Sequence, residues 1–253
     1  MNNKRWSALA SSLVVVVVVG IFLYQSFSHG ADGGAVQSQP TPTPTVVVRP
    51  SPTVAAQAGD QPGKFDFYVL NLSWSPDYCA ANSADDPQQC SIGKKLGFVL
   101  HGLWPQYDRG YPSDCSTVKL TADVKAKFPN LYPNSSLYDH EWGKHGTCSG
   151  LAPEQYLSLS RQLKESIAIP APYRAPEKPV RVTTAQLKQD LVAANPTLSE
   201  SSLAVYCSGS GRFLQEVYVC FSSNGKPTAC SKEIHNKAAS SCGNPDLLVR
   251  NVR

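Results

Sequence analysis

Apolar and polar positions alternate over residues 65–74 with a period close to two, the spacing of a strand whose two faces differ. A second short apolar run covers 97–103. The spacing then lengthens. Residues 120–128, 153–167 and 184–194 set their apolar side chains three and four apart, which predicts helices. Pro153 stands in the first turn of the second, where a missing N–H is no loss. Two more strands are predicted over 202–207 and 213–221, with Asn224-Gly225 marking a turn after the latter. Strands at both ends with helices gathered between them predict an α+β fold: a central antiparallel β-sheet with several helices, not a parallel doubly wound sheet. No internal repeat is visible.

Ahead of residue 64 the pattern differs in kind. Lys4 and Arg5 precede an uncharged apolar run, 6–24, with six consecutive valines at 14–19. Its length approaches the roughly 20 residues needed to cross a bilayer. A signal peptide has a shorter apolar core that ends in a small-residue cleavage site. No Ala-x-Ala follows Tyr24, which favours an uncleaved anchor. Residues 1–29 therefore read as a signal anchor or signal peptide, and either one exports the rest to an extracellular or periplasmic space. Residues 30–63 are rich in Pro, Thr, Ser, Gln, Ala and Gly and contain no aromatic residue. Such a segment cannot bury enough apolar surface to fold, so it reads as a disordered linker, and residues 64–253 as one disulfide-stabilised domain.

All eight cysteines lie between Cys79 and Cys242. An even number confined to the exported part suits disulfides better than metal or catalytic thiols. Composition alone cannot pair them. Nearness in sequence suggests Cys79–Cys90 and the nested pair Cys207–Cys242 around Cys220–Cys230, leaving Cys115–Cys148. The chain is 253 residues long and 42% hydrophobic, enough for one sizeable core. Its formal net charge of +4 permits an anionic partner without arguing for one.

Chemistry is concentrated in residues 140–148, His-Glu-Trp-Gly-Lys-His-Gly-Thr-Cys. On a helix, His140, Glu141, Lys144 and His145 share one arc while Trp142 and Gly143 point elsewhere. A merely solvated face would favour Lys, Glu and Ala; this one spends two of the chain's five histidines, a Trp and a Cys. Zinc is a competing reading, because His-Glu-x-x-His sets two imidazoles one turn apart for a metal. Here the second His comes five residues after the first, and Lys144 fills the ligand position, a poor neighbour for a dication. A second segment, residues 98–106, puts His101 at the end of an apolar strand, followed by Gly102 and a Trp104-Pro105 turn. Gly102 allows close backbone approach. Alone, His101 reads as a core histidine; beside the first motif it reads as a second functional imidazole.

His-Gly-Leu-Trp-Pro at 101–105 and His-Glu-Trp-x-Lys-His-Gly-Thr-Cys at 140–148 resemble the two active-site signatures of the ribonuclease T2 family, secreted acid endoribonucleases. The order of the motifs, Ser73-Trp74-Ser75-Pro76 and the late cysteines extend the likeness over most of 64–253. The resemblance implies cleavage of single-stranded RNA through a 2′,3′-cyclic phosphate by a monomer with no cofactor and no metal. It casts His145 as base, His101 as acid, His140 as a phosphate-binding helper, Glu141 as a group that polarises the phosphate or orients its neighbours, and Trp104 and Tyr111 as base-binding rings. The chemistry agrees on independent grounds. In-line attack by a 2′-hydroxyl needs a base, an acid and positive charge on the phosphoryl oxygens. Two imidazoles can divide the first two tasks, Lys144 can supply the third, and DNA, without the nucleophile, stays inert. Sequence does not distinguish the acid from the base, nor assign a preference to Gln106. Two alternatives remain open: a catalytically silent RNA- or partner-binding module, and a zinc hydrolase. Asn71-Leu72-Ser73 and Asn134-Ser135-Ser136 match the N-glycosylation pattern, which is short and often fortuitous.

Overall fold

The centre of the domain is β1 (Phe67–Trp74), seven of whose eight residues are buried. A strand covered on both faces cannot show a clean polar face, and β1 uses its two faces for two cores. Tyr68, Leu70, Leu72 and Trp74 join the larger cluster, whereas Phe67 and Val69 join a smaller one with Ala204, Cys220, Ile234 and Ala238. Asn71 belongs by alternation to the second face, just past the point where that apolar cluster ends.

This is a computed structural model, and it describes residues 60–253. The predicted anchor and nearly all of the predicted linker lie outside the described residues. No helix among the described residues is long and apolar enough to cross a membrane. In chain order the elements are β1, α1 (Ser75–Asn82), α2 (Pro87–Cys90), β2 (Phe98–Gln106), α3 (Ala122–Ala126), α4 (Ser136–Lys144), α5 (Pro153–Glu165), β3 (Val180–Val182), α6 (Thr184–Ala194), β4 (Leu203–Ser208), β5 (Phe213–Ser222), α7 (Lys232–Ser241) and β6 (Leu247–Val249), with short 3₁₀ turns between them. The sheet has six strands in the order β2-β1-β5-β6-β3, with β4 on β5. It is antiparallel except at one place, Phe213 opposite Leu248, where β5 and β6 run parallel. The expected antiparallel sheet is thus a mixed one, because β6 returns from α7 alongside β5.

Other expectations shift at their ends. β2 continues past Leu103 to Gln106 despite Pro105, which an outermost strand tolerates because one edge of its backbone needs no partner. The helix expected over 120–128 shortens to Ala122–Ala126. Thr121 caps it, its Oγ1 accepting from the Val124 N–H at 3.3 Å, while Leu120 and Phe128 are buried as flanks. α1, α2, α7, β3 and β6 were not expected. α7 carries a capping Ser231, whose Oγ accepts from the Ile234 N–H, but only Ile234 and Ala238 are buried along it, too few to register as a stripe.

Disulfides join Cys79 to Cys90, Cys115 to Cys148, Cys207 to Cys242 and Cys220 to Cys230, and none of the described cysteines is free. The last residues of the expected linker are not loose. Gly63 N–H donates to the Cys148 carbonyl at 2.9 Å, and the Asp60 carboxylate accepts from Tyr107 Oη at 3.1 Å and from the Ser113 N–H at 3.0 Å. The ordered part therefore begins at least four residues before Lys64, where polar contacts stand in for an apolar signal. Asp60→Ala is expected to destabilise the domain by about 1.5–3 kcal/mol, the scale of hydrogen bonds to a charged group. Urea unfolding of the two proteins measures this.

Candidate active site

His101 sits on an irregularity of the sheet. Along β1 and β2, Leu72 faces Leu100 and Asn71 faces Gly102, so His101 has no partner. That extra residue is a β-bulge, a device that re-aims a side chain. It explains why Leu100 and Leu103, three apart, are both fully buried in the larger core: without the bulge, strand alternation would send them to opposite faces. His101 is turned out of that core to the side where Asn71, Trp104 and Tyr218 lie.

α4 brings the second motif against this strand. Glu141 is completely buried, and its Oε2 accepts from Trp104 Nε1 at 2.7 Å. The approach is possible only because residue 102 is glycine; a Cβ there would stand 2.0 Å from Glu141 Oε2 and 2.2 Å from Trp104 Nε1. Glu141 Oε1 has no hydrogen-bond partner and lies 3.8 Å from His101 Nε2 and 3.9 Å from His140 Nε2. Trp142, as the helical arc implies, points the other way, into the core, its Nε1 donating to the Val118 carbonyl. α4 ends at Lys144. His145 follows with φ −116° and is 5% exposed, its Nδ1 without a partner. Loop residues 107–121 close over this end: Asp114 N–H donates to the Lys144 carbonyl at 2.9 Å, and Cys115 is bonded to Cys148.

The indole of Trp104 stands between the two imidazoles. It stacks on His145 at 5.1 Å between centroids and meets His101 edge-on at 5.2 Å, with Tyr218 edge-on at 5.6 Å. Tyr111, half exposed, tilts over His145 at 5.8 Å, with Lys144 Nζ 5.9 Å from its centre. His101, Glu141 and His145 thus meet one indole, with His140 beside Glu141 and with Tyr111 and Lys144 beside His145. Trp104 is largely committed to contacts within the site, which leaves Tyr111 as the more open ring. Gln106 is buried, its amide turned back to the Pro105 carbonyl.

The environments differ sharply in electrostatics. Burial, reinforced by the charges of Lys144, His140 and His101, lowers the His145 pKa to about 3. Burial also opposes the charge on His101, yet Glu216, through hydrogen bonding and charge, and Glu141, through charge, outweigh it, and its pKa is raised despite Lys144. Burial raises that of Glu141 to about 7 against the pull of His101, Trp104 and Lys144. Exposed His140 is lowered by partial burial and by Lys144. Among the described residues, no three His, Cys, Asp or Glu side chains converge to hold a metal ion.

Sequence reasoning passed over Asn71 and Glu216. Asn71 is fully buried, and its Nδ2 donates to Glu216 Oε2 at 2.7 Å and lies 3.2 Å from His101 Nδ1. The signal was an amide following Phe67 and Val69 on one face of a strand, masked by reading the same residue as a glycosylation site. In the fold it has no exposure to offer a glycan.

Paired imidazoles in opposite electrostatic settings, with a buried carboxyl and an ammonium beside them, are the groups that acid–base chemistry on an anion calls for. The chain belongs to the ribonuclease T2 family, whose description matches residues 65–230, and it is an RNA-cleaving endoribonuclease of that family. It is 40% identical over 210 residues to a ribonuclease of Aeromonas hydrophila, spanning 79% of this chain and 92% of that one. Its fold is similar to that of the RNase-related protein from Calystegia sepium, with a TM-score of 0.58 at 22% identity over 74% of this chain and 97% of the other. It is also similar to the self-incompatibility-associated SF11-RNase of Nicotiana alata, with a TM-score of 0.55 at 17% identity over 75% of this chain and 100% of the other.

Gly102→Ala is expected to push Glu141 and Trp104 apart. Overpacking of this kind costs about 1–3 kcal/mol, which a thermal melt would register. RNA cleavage should fall by more than the residual folded fraction accounts for.

Proposed function

We propose that this protein cleaves single-stranded RNA by transphosphorylation, without a metal, with His145 as general base and His101 as general acid. The observation that carries the assignment is the opposite electrostatic setting of the two rings. A base must be unprotonated to accept the 2′-hydroxyl proton, and burial beside Lys144 keeps His145 neutral even in acid. An acid must carry its proton, and His101 Nδ1 lies 3.8 Å from the Glu216 carboxylate, which favours its cation, while Glu141, 3.8 Å from Nε2, adds to this only as it ionises near pH 7.

In this reading the 2′-oxygen attacks phosphorus as its proton passes to His145, and the 5′-oxygen departs with a proton from His101, leaving a 2′,3′-cyclic phosphate. Slow hydrolysis of that ester reverses the two roles. Lys144 and His140 face the negative charge on the phosphoryl oxygens. Glu141, with a pKa near 7, is mostly protonated in mild acid and can offer a hydrogen bond from its unpartnered oxygen to a phosphoryl oxygen. Tyr111 provides a ring for a base to stack on. Four disulfides suit an oxidising space outside the cytosol, in keeping with export by the N-terminal segment.

The test is to incubate the purified full-length chain with single-stranded RNA or matched DNA in excess chelator, beside His145→Ala, and to identify the product ends. RNA cut to 2′,3′-cyclic ends, DNA untouched and a loss of about 100-fold or more in the variant are expected. A folded protein that leaves RNA intact would move the assignment to a binding module, and activity abolished by chelator would move it to a metal hydrolase.

The pH profile is a separate test. The base works above its lowered pKa and the acid below its raised one, so log(kcat/KM) should hold from about pH 3 to somewhat above 6.5 and decline beyond. An activity that climbs steadily into alkali would contradict these roles.

A further inference from the structure

Glu216 is an ionisable residue in the middle of β5, opposite Ser73 on one side and Tyr206 on the other. It is held from both ends: Oε1 accepts from Tyr218 Oη at 3.1 Å and Oε2 from Asn71 Nδ2 at 2.7 Å. Neither donor is charged. Among the described residues, the one cationic group within 4.0 Å of this carboxylate is His101, whose Nδ1 is 3.8 Å from Oε2. If Glu216 served only to satisfy Asn71 and Tyr218, a glutamine would do as well without placing a charge in a strand pinned between two others. The charge needs an imidazolium to justify it.

We propose that Glu216 is the positioning residue of the general acid: its carboxylate receives the Nδ1–H of charged His101 and aims the Nε2–H at the leaving oxygen. This rests on His101 being the acid. In the step itself, the Nε2–H bond breaks as the bond from that proton to the 5′-oxygen forms. The electron pair stays on Nε2, and the Nδ1 proton stays against Glu216, so the ring ends neutral. Asn71 Nδ2, 3.2 Å from the same Nδ1, can donate to it when the neutral ring carries its proton on Nε2 instead. Nδ1 thus has a carboxylate 3.8 Å away for the charged state and an amide donor at 3.2 Å for the neutral one, both carried by the sheet. A buried amide at position 71 is explained at the same time.

The groups facing His101 are Glu216 from β5, neutral Asn71 from β1, and Glu141, His140 and Lys144 from α4 with His145 just after it. Glu141 also favours the cation, so removing the charge at 216 weakens the acid without abolishing it. Glu141 sits on the Nε2 side, however, and cannot take the Nδ1 proton.

The experiment compares full-length wild type, Glu216→Gln and Tyr218→Phe in kcat and KM on single-stranded RNA across pH 3 to 9, with the His101 titration followed by NMR. Gln keeps the size and can still accept from Asn71 and Tyr218, but carries no charge; Phe removes only the hold on Oε1. In Glu216→Gln the alkaline limb of kcat/KM and the NMR pKa of His101 should both move to lower pH by about one unit, the scale for one nearby carboxylate. Activity well above the limb, at pH 8 to 9, would then drop about tenfold and that near pH 4 by less than about twofold, with KM little changed. Tyr218→Phe should move both in the same direction by less. A limb and a His101 titration that stay in place in both variants, or a loss by the same factor at every pH with a lowered melting temperature, would overturn the proposal. Should Glu216→Gln not fold, the Tyr218→Phe titration decides. A wild type that leaves RNA uncut, or that shows no alkaline limb, would instead refute the assignment of His101 on which this rests.

Discussion

The site depends on a hydrogen bond between two segments that are 37 residues apart in sequence, from the Trp104 indole to the buried Glu141 carboxyl. A carboxyl with no exposure is expensive to desolvate, and this one is only half satisfied, since Oε1 is left without a partner. The cost is tolerable because the group gains a proton readily there and because the contact fixes everything around it. With Glu141 against Gly102, α4 cannot rotate, so the turn that follows delivers His145 to the face of the same indole that His101 meets by its edge. One polar contact sets the spacing of the two imidazoles.

The main elements were legible because burial leaves a periodic trace. The strands over 65–74 and 213–221 and the helices over 153–167 and 184–194 emerge within a few residues of their observed ends, each with an apolar stripe or alternation to show. The motif residues were legible for a different reason: His, Glu, Lys and Trp crowd into two short stretches where solvation alone would not gather them. Elements with little to bury were missed. β3 and β6 are three residues long, and α7 buries two side chains along ten. The bulge at His101 was written in the odd spacing of Leu100 and Leu103, but it can be read only once both are known to face one core.

What sequence withheld at the site is the difference between the two histidines. Residue type gives both the same ordinary pKa; only placement separates them. Glu216 lies more than 110 residues from His101 and in no motif, and nothing but strand pairing brings it there. Asn71 carried a conspicuous pattern that pointed elsewhere. In both cases the informative quantity is which neighbour a polar group finds in the sheet, a matter of register between distant segments.

The Cys115–Cys148 bridge carries a further meaning for any cell that makes this protein. Closing a loop of 33 residues removes about 3–4 kcal/mol of chain freedom from the unfolded state, a large part of the margin by which a domain this size stays folded. The same bond clips the segment bearing Tyr111 and Asp114 onto the end of α4, where Lys144 and His145 lie. Newly made chains in a reducing compartment lack that clip. A chain without it is less stable by that margin and leaves the segment unfastened, so reduction would loosen the fold and this end of the site together, and oxidation would restore both in one chemical event.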